Sequence, residues 1–267
     1  MRIGWIGLGN MGKAFVRGMR ECFSREQLFL YDCEAERMRG EVERYGTPVS
    51  SITELLDHSE WVALAVKPNQ WRAIVREEPE RWQEKKLFSL MAGISIASLR
   101  RESGSPVILR CMPNLAVQVH LGMIGWFTED ALSERERKMW EEIFSALGVA
   151  LFLKEERQLE KMTPLTSSAP ALYFLLTELL EKVGIERGFS PQESRTMAEM
   201  TFWGAAHFLH QGGDCAQVSR CKVSSPGGVT ETMIHFLGSE RERLQRFDSL
   251  IRAGDERIGE MREASDE

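Results

Sequence analysis

Six residues near the start of the chain, Gly7-Leu8-Gly9-Asn10-Met11-Gly12, have the spacing of a phosphate-binding glycine turn. An apolar run at residues 2–6 predicts a buried strand before the turn, and residues 11–22 predict a helix after it. In that context Gly7 permits the tight turn, Gly9 lets a pyrophosphate approach the backbone, and Gly12 lets helix and strand pack closely. The free N–H groups at the start of the helix then face the phosphates. The predicted chemistry is dinucleotide binding.

An acidic residue follows the second predicted strand, where a ribose-binding carboxylate is expected. The strand at residues 28–31 ends in Asp32, twenty residues after Gly12. A carboxylate in this place binds the ribose of NAD and disfavours the 2′-phosphate of NADP. Arg37 and Arg39 follow closely enough to reach such a phosphate, so NADP or NAD is predicted as the cofactor.

Composition excludes several classes of function. The 267 residues are 43% hydrophobic and 28% charged, with a net charge of −6, which suits a folded protein and gives no basic footprint for nucleic acid. The longest apolar stretch, residues 169–176, is too short to span a membrane. The five cysteines are odd in number and lack Cys-x-x-Cys spacing, which favours free thiols. With no leader-like N-terminus, a cytoplasmic location is predicted.

The predicted elements divide the chain into two domains. Alternating strands and helices over residues 1–153 predict a Rossmann-type doubly wound α/β sheet, and residues 154–267 predict an all-α domain. A long apolar helical pair in the second domain favours an interface with another copy of the chain, a homodimer or a multiple of dimers. Strands are predicted at 3–6, 28–31, 47–49, 61–66, 86–91, 107–111, 122–128 and 149–153, and helices at 11–22, 34–45, 70–82, 96–102, 172–186 and 191–209.

Three further segments carry groups suited to a ligand site. Val66-Lys67-Pro68 and the run from Arg110 to Asn114 each end a predicted strand, at the edge where doubly wound sheets bind ligands. The third, Ser224-Ser225-Pro226-Gly227-Gly228-Val229-Thr230-Glu231, opens onto a helix and can point backbone N–H groups at an anion. Taken singly, each segment is also typical of an ordinary turn.

Taken together, in this order and spacing, these motifs resemble the pyrroline-5-carboxylate reductase family over nearly the whole chain. The loops Met112-Pro113-Asn114 and Ser225-Pro226-Gly227-Gly228 are the most specific to that family. The resemblance implies a Rossmann domain, and a helical domain that pairs with a second subunit to form the active site. It also implies the reduction of a small cyclic imine, 1-pyrroline-5-carboxylate, to L-proline with NAD(P)H.

The resemblance also implies roles for individual residues. The positions implied to bind the substrate are Ser225, Gly227, Gly228, Val229 and Thr230, with the backbone N–H groups of Gly227, Gly228 and Val229 on the substrate carboxylate. Thr230 matches the family's threonine near the ring nitrogen and is the predicted catalytic residue. The positions predicted to bind the cofactor are Gly7, Leu8, Gly9, Asn10, Met11, Gly12, Asp32, Val66, Lys67, Pro68 and Asn114.

The chain departs from the family pattern at three places. Thr166-Ser167-Ser168-Ala169-Pro170-Ala171-Leu172 stands where the family has Ser-Gly-Ser-Gly-Pro-Ala-Tyr, Leu115-Ala116 replaces Thr-Pro, and Val229 replaces a threonine. Each change removes a small or polar group near the expected site. Two alternatives therefore stay open: a reductase of a different imine, and a non-catalytic dinucleotide-binding paralogue that acts as a sensor or partner.

Two competing interpretations are weaker. The glycine turn also resembles that of the 3-hydroxyisobutyrate dehydrogenase group, which needs a lysine in a glycine-rich helix start, whereas residues 166–174 contain neither lysine nor glycine. His207 and His210, with Cys215 and Cys221 downstream, lack the spacing of a paired ligand motif. The sequence therefore predicts no metal site.

Overall fold

The computed structural model describes residues 1–20, 22–39 and 44–266, and its strands all fall within the first 152 residues. The strands are β1 Ile3–Ile6, β2 Leu28–Tyr31, β3 Thr47–Pro48, β4 Trp61–Leu64, β5 Lys86–Ser89, β6 Ile108–Met112, β7 Gly122–Phe127 and β8 Gly148–Phe152.

The strands form one eight-stranded sheet in the order β3-β2-β1-β4-β5-β6-β7-β8. Neighbours from β3 to β6 are parallel, β7 runs antiparallel to β6, and β8 pairs parallel with β7. Ile3 of β1 pairs with Leu28 on one side and with Trp61 on the other. The predicted Rossmann-type sheet is therefore confirmed.

Helices connect many of the strands and make up most of the described chain after β8. Shorter 3₁₀ turns cover Arg25–Gln27, Ala35–Met38, Arg81–Glu84 and Leu115–Val119, and a π-helical turn covers Thr163–Ser168. The α-helices are α1 Asn10–Met19, α2 Ile52–His58, α3 Trp71–Glu77, α4 Ile96–Ser103, α5 Glu134–Leu147, α6 Arg157–Met162, α7 Pro170–Glu186, α8 Pro191–Gly212, α9 Ala216–Lys222, α10 Val229–Phe236 and α11 Glu240–Asp266.

The central strands β1, β2, β4, β5 and β6 are buried on both faces, because they are apolar at consecutive positions. In β1, Ile3 and Trp5 join one core cluster while Ile6 joins the other. The first cluster is aromatic: the Trp5 and Phe15 rings stack with centroids 5.3 Å apart, and those of Phe88 and Trp140 lie 4.6 Å apart. This packing fixes the carboxyl end of β1, where the glycine turn begins.

Several predicted helix bounds were wrong, for local reasons. The helix predicted at 70–82 breaks after α3, because Pro79 cannot donate an i→i−4 hydrogen bond and clashes with the preceding turn. In place of the helix predicted at 34–45, the described part of this segment has a 3₁₀ turn over Ala35–Met38, and residues 40–43 lie outside the described residues. Helix α2, capped by Ser51, was not predicted, since seven residues are too few for a periodic pattern.

The chain divides into two compact units, residues 1–168 with 253–267, and residues 169–252. The predicted domain boundary between residues 153 and 154 stays a prediction. In the second unit α7 and α8 pack together, with the rings of Tyr173 and Phe202 5.3 Å apart. The end of α11 belongs to the first unit, where a Cβ at Gly254 would meet the Pro164 ring at 3.0 Å. None of the helices in the described ranges is long and apolar enough to cross a membrane.

Candidate active site

The glycine turn between β1 and α1 has the geometry that its sequence predicts. Gly7 has a φ of +100°, and a Cβ there would lie 2.5 Å from the carbonyl oxygen of Ala65. A Cβ at Gly12 would lie 2.1 Å from the carbonyl oxygen of Gly7. A Cβ at Gly9 would meet nothing within 4 Å. The first and third glycines are therefore required by the fold, and the second leaves open space beside the backbone.

Helix α1 offers an uncapped N-terminus to this space. Gly9 is its N-cap and provides no side-chain cap, and the first turn contains no acidic residue. The N–H groups of the first turn have no partners within the helix, and the helix dipole adds positive potential there. These groups fit a dinucleotide pyrophosphate.

Trp5 supports the turn, and sequence reasoning missed it. Its indole Nε1 donates to the carbonyl oxygen of Gly7 at 3.0 Å, and the side chain is fully buried. A tryptophan in an apolar strand looks like simple core, and nothing in the sequence distinguishes one that also holds a turn.

Asp32 lies at the end of β2, as predicted, but its carboxylate already has backbone partners. Oδ2 accepts from the Leu8 N–H at 2.6 Å, and Oδ1 accepts from the Glu34 N–H at 2.9 Å. The guanidinium of Arg37 lies 3.5 Å from Oδ2 of Asp32 and 2.7 Å from Oε1 of Glu34. Asp32 thus joins the glycine turn to the segment that follows β2.

A cleft of about 640 Å³ runs along the carboxyl ends of β1, β2 and β4. It brings together most of the predicted cofactor residues, namely Gly7, Leu8, Gly9, Asn10, Asp32, Val66 and Lys67. Apolar side chains that sequence reasoning did not select, including Ile52 and Ile74, also line it. Tyr31 lines it too, and burial, with a smaller contribution from Glu77, raises the pKa of this phenol, which stays protonated at neutral pH. The cleft combines an end with unpaired backbone N–H groups and an apolar wall, an arrangement that suits a nucleotide.

Four predicted cofactor residues do not line this cleft. Met11 and Gly12 lie just inside α1, and Pro68 follows Lys67. Asn114 is buried elsewhere in the first unit, where its Nδ2 donates to the Thr166 carbonyl and its Oδ1 accepts from the Met123 N–H, both at 3.2 Å. Asn114 therefore fixes the π-helical turn Thr163–Ser168 to the start of β7.

The predicted substrate loop lies in the second unit, before α10. The Gly228 N–H donates to the carbonyl oxygen of Ser225 at 3.0 Å, and the Gly227 N–H donates to Oε2 of Glu231 at 2.7 Å. Val229 and Thr230 occupy the first turn of α10, where N–H groups have no partners within the helix. Of the three N–H groups predicted to bind a carboxylate, those of Gly227 and Gly228 already donate within the loop. Glu231, which sequence reasoning did not select, holds the turn.

The metal-binding interpretation of the cysteines and histidines gains no support in the described ranges, where no group of three or more His, Cys, Asp or Glu side chains is placed to hold an ion. The ring of His207 instead lies 6.1 Å from that of Trp203.

These features define a nucleotide-binding protein of the Rossmann class, and comparison with known proteins identifies its family. Residues 156–261 match the family model described as pyrroline-5-carboxylate reductase dimerisation, and residues 2–93 match that described as NADP oxidoreductase, coenzyme F420-dependent. The pyrroline-5-carboxylate reductase of Aquifex aeolicus is 32% identical over 89% of each chain. That of Pseudomonas aeruginosa is 30% identical over 98% of this chain and 97% of its own.

Solved structures agree with these matches. The Plasmodium falciparum pyrroline carboxylate reductase, solved with NADP bound, has a TM-score of 0.86 at 24% identity and covers 98% of both chains. The Coxiella burnetii pyrroline-5-carboxylate reductase has a TM-score of 0.83 at 25% identity, with 97% of this chain and 98% of that chain covered. The chain belongs to the pyrroline-5-carboxylate reductase family, which confirms the resemblance seen in its motifs.

Proposed function

We propose that this protein is an NAD(P)H-dependent oxidoreductase that reduces 1-pyrroline-5-carboxylate to L-proline. The observation that carries the proposal is the likeness, at 30% identity over nearly the full length of both chains, to an enzyme named for this reaction. The dinucleotide cleft beside the glycine turn supplies the independent chemical support. Dinucleotide binding alone is also compatible with a non-catalytic paralogue, so turnover of the imine is the decisive measurement.

Reduction of the C=N bond requires the protein mainly to bind and orient the substrate and the cofactor. A nicotinamide held in the cleft beside the glycine turn would supply a hydride for the C=N carbon. A substrate nitrogen that arrives protonated would take up the π electrons and become a neutral amine. No strong general acid is then needed, and the protein's task is to hold substrate and cofactor in place. Helix α1 and the glycine turn suit the pyrophosphate, and the free N–H groups of Val229 and Thr230 suit the substrate carboxylate.

We expect Thr230→Ala to lower kcat for 1-pyrroline-5-carboxylate about tenfold, because a hydrogen bond made mainly in the transition state is lost. The affinity for NADPH, which depends on the glycine turn, should stay unchanged. Steady-state kinetics and NADPH binding by fluorescence titration measure the two effects.

Thr232→Ala is the matched control for this variant. The Thr232 hydroxyl donates to the carbonyl oxygen of Gly228 at 3.2 Å, so it is engaged within its own helix, and its loss should leave kcat near the wild-type value. An unchanged kcat in Thr230→Ala would remove Thr230 from the reaction. A wild-type protein that binds NADPH without reducing the imine would favour the non-catalytic alternative.

The dimerisation domain indicates self-association, and we propose a homodimer formed through α7 and α8. The described side chains of α7 include no buried residue, and its apolar groups are about half exposed, among them Tyr173, Phe174, Leu176 and Leu179. An apolar surface of this extent calls for a second copy of the chain.

A cytoplasmic location remains a prediction that rests on the five free cysteines.

Leu176→Glu should weaken the dimer by about tenfold or more in its dissociation constant, because a charge without a partner would be buried at the interface. Sedimentation equilibrium over a range of protein concentrations measures the change. Val149→Glu is the control, since Val149 is an exposed apolar residue of the first unit, 60% accessible compared with 52% for Leu176. Equal effects of the two variants would argue against α7 as the interface.

A further inference from the structure

The carboxylate that would normally select NAD is buried and engaged in this protein. The Asp32 side chain is only 3% exposed, and each of its oxygens accepts a backbone N–H. One of these N–H groups belongs to Leu8, in the glycine turn itself. Ribose selection requires carboxylate oxygens that are free to accept from the ribose hydroxyls. Asp32 borders the cleft, but both of its oxygens already accept backbone N–H groups. The geometry instead gives Asp32 the task of holding the turn.

Arg37 is a cation in contact with Asp32 at this end of the cleft, which Lys13 and Lys67 also line. Its side chain is 38% exposed and lines the cleft, with its guanidinium 2.7 Å from the carboxylate of Glu34. Glu34 is itself 57% exposed, and ion pairs between exposed side chains are weak. A phosphate carries more charge than a carboxylate and matches the guanidinium fork with charge-assisted hydrogen bonds. A phosphate at this end of the cleft would therefore displace Glu34 from Arg37.

Arg39, the other arginine near β2, occupies a different place. It lines a second cleft of about 470 Å³, which shares Asn10 and Lys13 with the first cleft but includes no residue of β2. From the sequence alone, Arg37 and Arg39 are equal candidates to reach a 2′-phosphate. In the structure Arg37, and not Arg39, contacts the residues at the end of β2.

We propose that Arg37 is the specificity-determining residue that binds the 2′-phosphate of NADPH, exchanging Glu34 for that phosphate, and that Asp32 is a positioning residue for the glycine turn. The proposal rests on the proposed function in one respect, that the cleft beside the turn holds a nicotinamide dinucleotide. It predicts a preference for NADPH despite the acidic residue at the end of β2.

Two nucleotide fragments test the proposal directly. Isothermal titration of 2′,5′-ADP and of 5′-AMP compares ligands that differ only in the 2′-phosphate and that carry no nicotinamide. In Arg37→Ser we expect the affinity for 2′,5′-ADP to fall about tenfold or more, while that for 5′-AMP changes less than about twofold. Glu34→Gln should strengthen 2′,5′-ADP binding about two- to threefold, because it removes the competing carboxylate.

Arg39→Ser is the matched control, with the same charge change two residues away. A loss of 2′,5′-ADP affinity in Arg39→Ser and none in Arg37→Ser would overturn the proposal. So would equal losses for 2′,5′-ADP and 5′-AMP in Arg37→Ser. A wild-type protein that binds 2′,5′-ADP through Arg37 and yet fails to reduce the imine would refute the proposed reaction and leave this inference standing.

Asp32→Asn tests the positioning role. The asparagine has nearly the same shape but turns one acceptor into a donor, so it loses one of the two backbone hydrogen bonds. Both fragments should bind more weakly by a similar factor, leaving the ratio of their affinities unchanged. A selective gain for 2′,5′-ADP would mean that the Asp32 charge does exclude the 2′-phosphate, and would overturn this part of the proposal.

Discussion

Arg110→Met should lower the free energy of unfolding by about 3–5 kcal/mol, because it leaves two largely buried carboxylates without their nearest cation. The Arg110 side chain is 1% exposed, and its Nη1 lies 2.7 Å from Glu156 and 2.8 Å from Glu160. Arg262, on the last turns of α11, lies 4.0 and 3.9 Å from the same two carboxylates and is too distant to replace it fully. Urea unfolding at fixed protein concentration, followed by tryptophan fluorescence, measures the loss.

Arg157→Met is the control, since Arg157 begins the helix that carries Glu160. Its side chain is 67% exposed and pairs with Glu155 at the surface, so its removal should cost less than about 1 kcal/mol. A cost for Arg110→Met no larger than that for Arg157→Met would mean that water or another cation compensates the two carboxylates.

The sequence predicts the positions of the central strands well because those strands are buried on both faces of the sheet. Strands such as β4, which is Trp-Val-Ala-Leu and buried at each position, stand out as short apolar runs between turn residues. Ends of helices depend on weaker signals. Ser190 and Glu193 form the capping box expected at the start of α8, whereas the end of α3 depends on a single proline.

The candidate site is predictable in its backbone but not in its side-chain partners. Gly7 and Gly12 are recognised because backbone geometry excludes any other residue there. The partner of Asp32 is an N–H group 24 positions earlier in the chain, brought near by the pairing of β1 with β2. The spacing of residues along the chain cannot reveal whether such a carboxylate is free to bind a ribose or is engaged by the turn, since that depends on its rotamer and packing.

Asn114 and Glu231 illustrate the same limit. The resemblance assigns Asn114 to the cofactor side, whereas both polar atoms of its side chain bind backbone groups of the first unit. Glu231 follows the predicted catalytic threonine and accepts the N–H of Gly227, a contact that depends on the loop conformation. Sequence motifs therefore locate the segments that form the site. The hydrogen bonds of each side chain become known only from the folded structure.

Gly9→Ala and Gly12→Ala should separate cofactor binding from folding. Gly9 has a φ of −65° and open space at its Cβ position, so alanine should leave thermal stability unchanged. A methyl group there would occupy the approach of the pyrophosphate, and the affinity for NADPH should fall by about tenfold or more. At Gly12 the methyl group would lie 2.1 Å from the Gly7 carbonyl oxygen, so the turn must open, and both stability and affinity should fall.

Thermal unfolding measures the stability of both variants, and fluorescence titration measures their affinity for NADPH. The expected outcome is a stable Gly9→Ala protein that binds NADPH poorly and a destabilised Gly12→Ala protein that also binds it poorly. If Gly9→Ala binds NADPH with wild-type affinity, the pyrophosphate does not pass the second glycine, and the proposed placement of the cofactor fails. If Gly9→Ala is itself destabilised, the space beside Gly9 is needed by the fold, and its weaker binding no longer reports on the cofactor.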